Sequence, residues 1–451
     1  MATLVSRGRE ARGHRFRDLL VLLLLLLVAA GVGLFLTIKD EETLRASVIL
    51  STLVLFSFVL FWRIARTESD DSPLLAVLWV SFALKLGAMA YRFYGSVLAD
   101  AFVYHWRGRA IAEQLARGEW PADVGAFGTQ FLRLVTGLVY YSLGVTFYGI
   151  TILWTWFGLI GMVFFYLAFR EAFPNGDRRL YMYLVFLFPS MLLWTSSLGK
   201  DALVIMCLGM AAYGVAVLQR RISIAGLWWG GLGAAGMFMI RPHLAGVFLV
   251  ASGSTFLFRP IRAGLLSPVL RLGGIAIMIG VTAALMGTAT GYVGLDEVGS
   301  QEVFQFISEY QEFSARGGSA FEQVNPATPL GFLMAFPTVL LRPFPWEAHN
   351  FHAAVASLEG LALLMLIVYR RRSVITAIRS VRQSSFVMLL VIYITLFVFF
   401  FSAIGNFGII ARQRASQLFP FVLMLVAYLG TRPETPDGGS WSRQERAGTG
   451  R

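Results

Sequence analysis

Long apolar runs, each closed by polar or charged residues, repeat along the chain at a length that suits a bilayer. They cover residues 19–38, 44–62, 74–94, 148–169, 180–198, 201–219, 224–240, 243–258, 272–290, 350–369, 386–404 and 415–430. A hydrocarbon core about 30 Å thick needs roughly 20 apolar residues to be crossed by a helix. The expectation is therefore an all-α polytopic membrane protein of about 12 transmembrane helices. Two further apolar stretches fit poorly. Residues 127–144 carry Gln130 and Arg133, and residues 330–341 are too few to span and contain Pro337. The basic segment 7–17 before the first run has no convincing small-residue cleavage site after it, which points to an uncleaved anchor.

Arginine distribution decides how the two doubtful stretches are placed. If neither crosses, Arg63, Arg66, Arg170, Arg178, Arg179, Arg220, Arg221, Arg259, Arg262, Arg271 and the cluster Arg370, Arg371, Arg372, Arg379, Arg382 all share the side of the basic N-terminus. That is the positive-inside pattern. If both crossed, the arginines between residues 170 and 271 would move outside. Both stretches are therefore expected as interfacial or re-entrant helices on the outer face, with both termini cytoplasmic.

Composition agrees: 57% of the 451 residues are apolar and 14% are charged. Most apolar surface would face lipid, so one helical bundle over residues 1–430 is expected, with outer loops at 95–147 and 291–349. The polar segment 431–451 reads as a disordered cytoplasmic tail. The formal net charge of +12 suits cytoplasmic loops and needs no nucleic-acid partner. Cys207, the single cysteine, excludes an intramolecular disulfide.

This topology puts several polar clusters on the outer side. They are Asp100, Tyr104, His105, Arg107 and Arg109; Lys200 beside Asp201 in WTSSLGKDAL; Arg241 and His243 in RPH; Arg342, Trp346 and Glu347 in RPFPWE; and Asn406, Arg412 and Arg414 in GNFGIIARQR. Positive charge held outside against the usual bias calls for an anionic partner. A lipid-linked phosphate or pyrophosphate is anionic, membrane-embedded and reachable at headgroup depth. Contacts to ordinary phospholipid headgroups are the plainer alternative. For the Lys200–Asp201 pair that plainer reading has a short loop at the mouth of the bundle, Ser196 or Ser197 capping the next helix, Asp201 favouring its N-terminus and Lys200 reaching to headgroups.

Asp100 followed by Tyr104-His105 and IAEQLARGEWP resembles the first outer loop of GT-C-type integral-membrane glycosyltransferases. SSLGKDAL, RPH, RPFPWE and the Asn406-to-Arg414 segment resemble stretches of bacterial polysaccharide-assembly membrane proteins, including O-antigen-polymerase-like ones. The resemblance runs over residues 95–420. It implies a GT-C-like bundle in the bacterial inner membrane. The implied activity is transfer or polymerisation of sugar from a polyprenyl-phosphate- or pyrophosphate-linked donor to a glycan, lipid or protein acceptor.

The chemistry itself asks for a base at the acceptor hydroxyl and positive charge on the departing phosphate, with no redox cofactor. Asp100 suits the base. Arg241, Arg342, Arg412 and Arg414 suit the phosphate clamp, with Lys200 as a further point charge, while Tyr104, His105, His243 and Glu347 complete the candidate substrate-binding set. Residues 291–329, with Asp296, Glu297, Glu302, Glu309, Glu312 and Arg316, read as a lid over the acceptor or as a plain solvated loop. A divalent ion is an alternative through Asp100, His105, His243, Glu347, His349 and His352, although these are scattered rather than set in a dense ligand motif. There is no P-loop, GxSxG or CxxC. The rival class is a transporter or flippase for a lipid-linked glycan, suggested by Lys85 and Glu359 in mid-span, whose opposite signs predict one buried pair.

Overall fold

The computed structural model describes residues 40–258 and 328–430, apart from 70–71, 96–98, 122–123, 126, 349–350 and 403, and a few isolated positions between 272 and 326. The expected spans 19–38 and 272–290, most of the proposed lid and the tail 431–451 lie outside the described residues.

Among the described residues the secondary structure is helical throughout, with no β-strand. In chain order the helices are α1 (Glu41–Ala65), α2 (Leu74–Tyr94), α3 (Ala99–Ala116), α4 (Gly128–Leu143), α5 (Phe147–Ala172), α6 (Arg178–Leu187), α7 (Pro189–Trp194), α8 (Lys200–Arg220), α9 (Ile224–Ile240), α10 (Pro242–Phe258), α11 (Pro329–Leu341), α12 (Phe351–Tyr369), α13 (Arg371–Arg379), α14 (Ser385–Phe401), α15 (Phe407–Gln417) and α16 (Phe419–Ala427). Four of these, α1, α2, α5 and α8, are long and apolar enough to cross a membrane, and a fifth span arises if α12 and α13, bent by 68°, count as one. The protein is thus an all-helical membrane protein with four or five such helices among the described residues, fewer than the run lengths predict.

The shortfall has local causes. The run 180–198 is split because Phe188, preceding Pro189, takes an extended conformation (ψ 121°), as residues before proline do. The run 415–430 is split at Leu418, where Pro420 removes one helical N–H. α9, α10 and α14 are apolar but hold only 17 residues each, about 25 Å of helix. Neither doubtful stretch is a long helix: α4 has 16 residues and α11 has 13, with Pro337 inside.

α8 is the best buried of the four long apolar helices, sandwiched between α5 and α9. Small residues set that contact. A Cβ on Gly161 would stand 2.6 Å from the Ile205 carbonyl carbon, and one on Gly214 would stand 2.2 Å from the Gly230 nitrogen. Close approach of this kind is how helices associate where lipid gives no hydrophobic drive. α6 and α7 pack on α2, α15 packs on α7 and α8, and α3 pairs with α4.

Ion pairs mark the two ends of the bundle. At one end Glu68 meets Arg170 (3.1 Å) and Arg178 (3.6 Å), Asp177 meets Arg370 (3.3 Å), and Arg220 meets Glu171 (3.5 Å). At the other end lie the breaks between α7 and α8, between α9 and α10, and before α15.

Candidate functional site

The site is built around α7, a helix of six residues. So short a helix leaves nearly all its backbone groups without internal partners, and lipid supplies none. Buried charges fill the gap. The Ser190 N–H donates to Glu359 Oε2 at the N-terminal end (2.7 Å). At the C-terminal end Lys85 Nζ donates to the Thr195 carbonyl (3.1 Å) and Thr195 Oγ1 (2.5 Å), and Arg92 Nη1 donates to the Leu193 (3.3 Å) and Trp194 (3.1 Å) carbonyls. An anion at the N-terminus and cations at the C-terminus both match the helix dipole. This corrects the expectation that Lys85 and Glu359 pair: they hold opposite ends of α7 instead. A Cβ on Gly158 would lie 2.5 Å from the Thr195 carbonyl oxygen and 3.0 Å from Lys85 Nζ, so only glycine on α5 lets that end seat.

Beyond α7 the chain runs through Thr195–Gly199 into α8. This segment, expected at the mouth of the bundle, is buried at Thr195, Ser196, Ser197 and Leu198. Neither serine caps α8, because Gly199 is the N-cap and Ser196 Oγ donates back to the Leu192 carbonyl (2.6 Å). The inserted charges explain the burial: Lys85 and Arg92 satisfy carbonyls that would otherwise need water.

Asp201, in the first turn of α8, is the hub. Its carboxylate takes Arg241 Nη2 at 3.1 Å on Oδ1 and Arg412 Nε at 3.0 Å on Oδ2. Arg412 then reaches outward, Nη1 to Asp100 Oδ2 at 2.8 Å. Exposure grades along this line: the Asp201 and Arg241 side chains are 8% and 7% exposed, Arg412 30% and Asp100 66%. Lys200, half-buried, feels the charges of Arg241, Arg412, Asp201 and Asp100. The two carboxylates, Asp201 foremost, hold the Arg412 guanidinium above its ordinary pKa, so it stays charged.

Local sequence explains the placements. Arg241 is the C-cap of α9, with Pro242 opening α10, so RPH fixes it at a helix junction. Asn406 caps α15 by accepting from Gly408 N (3.0 Å) and Ile409 N (3.2 Å). Residues two positions apart on a helix point about 200° away from each other. Arg412 accordingly turns to the carboxylates, while Arg414 turns inward to the Val339 (3.4 Å) and Arg342 carbonyls and is fully buried. Arg342 is held by Glu347, Nε and Nη2 to Oε1 at 2.9 and 2.6 Å, and Glu347 Oε2 accepts from Phe344 N (2.8 Å).

The structure thus joins Arg241, Asp201, Arg412 and Asp100 in one line of ion pairs, with Lys200 alongside, and ties Arg342, Glu347 and Arg414 into a neighbouring knot that reaches α15 through Arg414. Tyr104 lies in the α3–α4 packing within reach of the Asp100, Arg412 and Asp201 charges, whereas His105 stands apart from them. Tyr104 is buried, which raises its phenol pKa, with the Asp100 charge adding to the effect. His105 Nδ1 meets Tyr140 Oη at 2.6 Å, its ring lies 4.7 Å from that of Phe147, and burial lowers its pKa from 6.5. His243 is exposed, 6.3 Å from the Phe401 ring. Among the described residues no three His, Cys, Asp or Glu side chains group to hold a metal ion; His349 and the His352 side chain lie outside them. Sequence reasoning missed Arg92. Its signal was the seven-residue spacing from Lys85, which places both on one face of α2.

No family model, curated protein or solved structure matches the chain. Its class, an all-helical membrane protein with a charged cluster at one end of the bundle, follows from the helices and ion pairs themselves.

Proposed function

We propose that this chain is a membrane glycosyltransferase or polysaccharide polymerase of the bacterial inner membrane, taking sugar from a polyprenyl-phosphate- or pyrophosphate-linked donor at the outer face. The observation that carries the proposal is the graded ion network, with a solvent-facing carboxylate joined by a single arginine to buried charges beside a helix N-terminus. The arginine excess at the opposite end supports placing the network outside and both termini in the cytoplasm.

In this reading the acceptor hydroxyl attacks the anomeric carbon of the donor. Its proton passes to Asp100, and the carbon–oxygen bond to phosphate breaks with its electron pair moving to the phosphate. Lys200, Arg412 and Arg241 counter that charge, while Arg342 and Arg414 hold the knot that fixes α15. Because Arg412 binds Asp100 directly, a donor phosphate that draws Arg412 to itself also frees the carboxylate to accept a proton. Asp100 is exposed enough to return that proton to water.

The test is sugar transfer by the full chain in nanodiscs, with a panel of polyprenyl-linked donors. Asp100→Asn keeps donor binding and loses turnover by about 100-fold or more. Full turnover in both Asp100→Asn and Arg412→Gln would overturn the assignment. One observation favours a transporter for a lipid-linked glycan: a broken helix with charges buried at its ends is also how transporters build a binding site. Donor translocation into proteoliposomes without sugar transfer would establish that reading instead.

A further inference from the structure

A second polar site lies on α3, two turns from Asp100. A cavity of about 530 Å³ opens between α3 and α4, lined among the described residues by Arg107, Ala110, Ile111, Gln114, Pro121, Val124, Gln130 and Arg133. Its volume falls within the roughly 300–1,000 Å³ usual for small-molecule sites. Among the described residues the lining combines two guanidiniums, two amides and four apolar side chains. Among the described residues no acidic side chain pairs with Arg107 or Arg133. Arg133 Nη1 donates to Gln130 Oε1 (3.2 Å), while its Nε is buried with no partner. A buried N–H left empty is costly, and here it borders a cavity.

Each part of the lining narrows the ligand. Two arginine forks select an oxyanion, carboxylate or phosphate. Gln114 and Gln130 both donate and accept, which matches hydroxyl groups. Ile111, Val124 and Pro121 offer an apolar surface for the C–H face of a ring. Asp100, Arg107 and Gln114 recur every seven residues and so share one stripe of α3, with Asp100 about 10 Å from Arg107 along the axis.

We infer that this cavity is a saccharide subsite that holds an anionic sugar residue by its oxyanion, a short reach from Asp100. The inference rests on the glycosyltransferase reading only for what Asp100 does to the bound chain; the binding itself is independent of catalysis.

The experiment is binding of a uronate-containing oligosaccharide, and of its methyl-esterified neutral counterpart, to the full chain in nanodiscs of neutral lipid. The acidic probe binds at least about tenfold more tightly than the ester. Arg107→Gln and Arg133→Gln each abolish that preference at unchanged melting temperature, Arg133→Lys keeps part of it, and Asp100→Asn leaves it intact. Inorganic phosphate competing in the millimolar range supports the oxyanion contact. Equal affinity for the two probes, or a preference that survives in the Arg107→Gln/Arg133→Gln double variant, overturns the inference. So does saturation by phosphatidylglycerol nanodiscs without any oligosaccharide preference, which would make the cavity a lipid headgroup site. If the acidic probe binds as stated while Asp100→Asn retains full turnover, the subsite stands and the catalytic reading falls.

Discussion

Asp201 and Asp100 share Arg412, yet replacing each by asparagine should have very different consequences for stability. Asp201 is 8% exposed and faces two guanidiniums at 3.1 and 3.0 Å, one of them on a side chain only 7% exposed. A unit charge pair at 4 Å is worth about 4 kcal/mol at an effective dielectric constant of 20. Two such attractions, offset by the cost of desolvating three charges, leave a net effect of about 3–5 kcal/mol, the range for breaking a buried pair. Asp201→Asn keeps the shape and removes the charge, so Arg241 stays buried but loses the attraction of the Asp201 carboxylate. Asp100 is 66% exposed and makes one contact at 2.8 Å, an arrangement worth under about 1 kcal/mol. The measurement is reversible unfolding of the full chain in mixed micelles under increasing denaturing detergent. Asp201→Asn should lose most of the bundle's stability, while Asp100→Asn unfolds close to wild type. Adding Arg241→Gln to Asp201→Asn should recover part of the loss, because the buried guanidinium is removed together with its carboxylate. Equal unfolding of the two aspartate variants would refute the hub, and a double variant worse than the sum of the singles would refute the pairing.

Because Lys85 and Glu359 serve opposite ends of α7, Lys85→Met and Glu359→Gln should show no charge-pair coupling beyond about 0.5 kcal/mol in a double-mutant cycle; coupling of several kcal/mol would mean that they meet. Gly158→Ala drives a methyl group into the Thr195 carbonyl and should cost about 1–3 kcal/mol by the same unfolding assay, whereas Gly87→Ala, whose Cβ has open space, should cost little. For orientation, Trp346→Cys and Trp120→Cys (78% and 69% exposed) should react with an impermeant thiol reagent on intact cells, and Tyr369→Cys (81% exposed) only after permeabilisation; the reverse pattern would invert the assigned faces. His105 adds a pH dependence. With its folded pKa below 6.5, the unfolded chain binds the extra proton first, so stability is full above about pH 6.5 and falls as pH drops through 6.5 towards the folded value. His105→Gln should flatten that acid limb, and an unchanged limb would assign it elsewhere.

Hydrophobic runs located all four helices long and apolar enough to cross a membrane among the described residues, because burial in lipid demands apolar length and little else, but they passed over the polar 18-residue α3. They could not count spans. A run reads the same whether it is one helix or two, and the breaks at Pro189 and Leu418 depend on single residues inside continuous apolar sequence. The outer clusters were legible as a group for a similar reason. Arginines against the charge bias need partners, and RPH and N-capping Asn406 fix where Arg241 and Arg412 stand. Pairing was not legible. Lys85 and Glu359 look like counterions on sign alone, but the competing partner is backbone: α7 offers unmet N–H groups at one end and unmet carbonyls at the other, and a helix too short to satisfy itself outbids a distant charge. The same competition buried the Thr195–Leu198 turn that leads into Lys200 and Asp201, since Lys85 and Arg92 supply to that turn what water would have supplied outside. A short polar turn between two apolar runs is therefore a surface loop only when no buried cation stands opposite its carbonyls, and the pattern that signals the exception is carried by another helix, in the Lys85 and Arg92 spacing of α2.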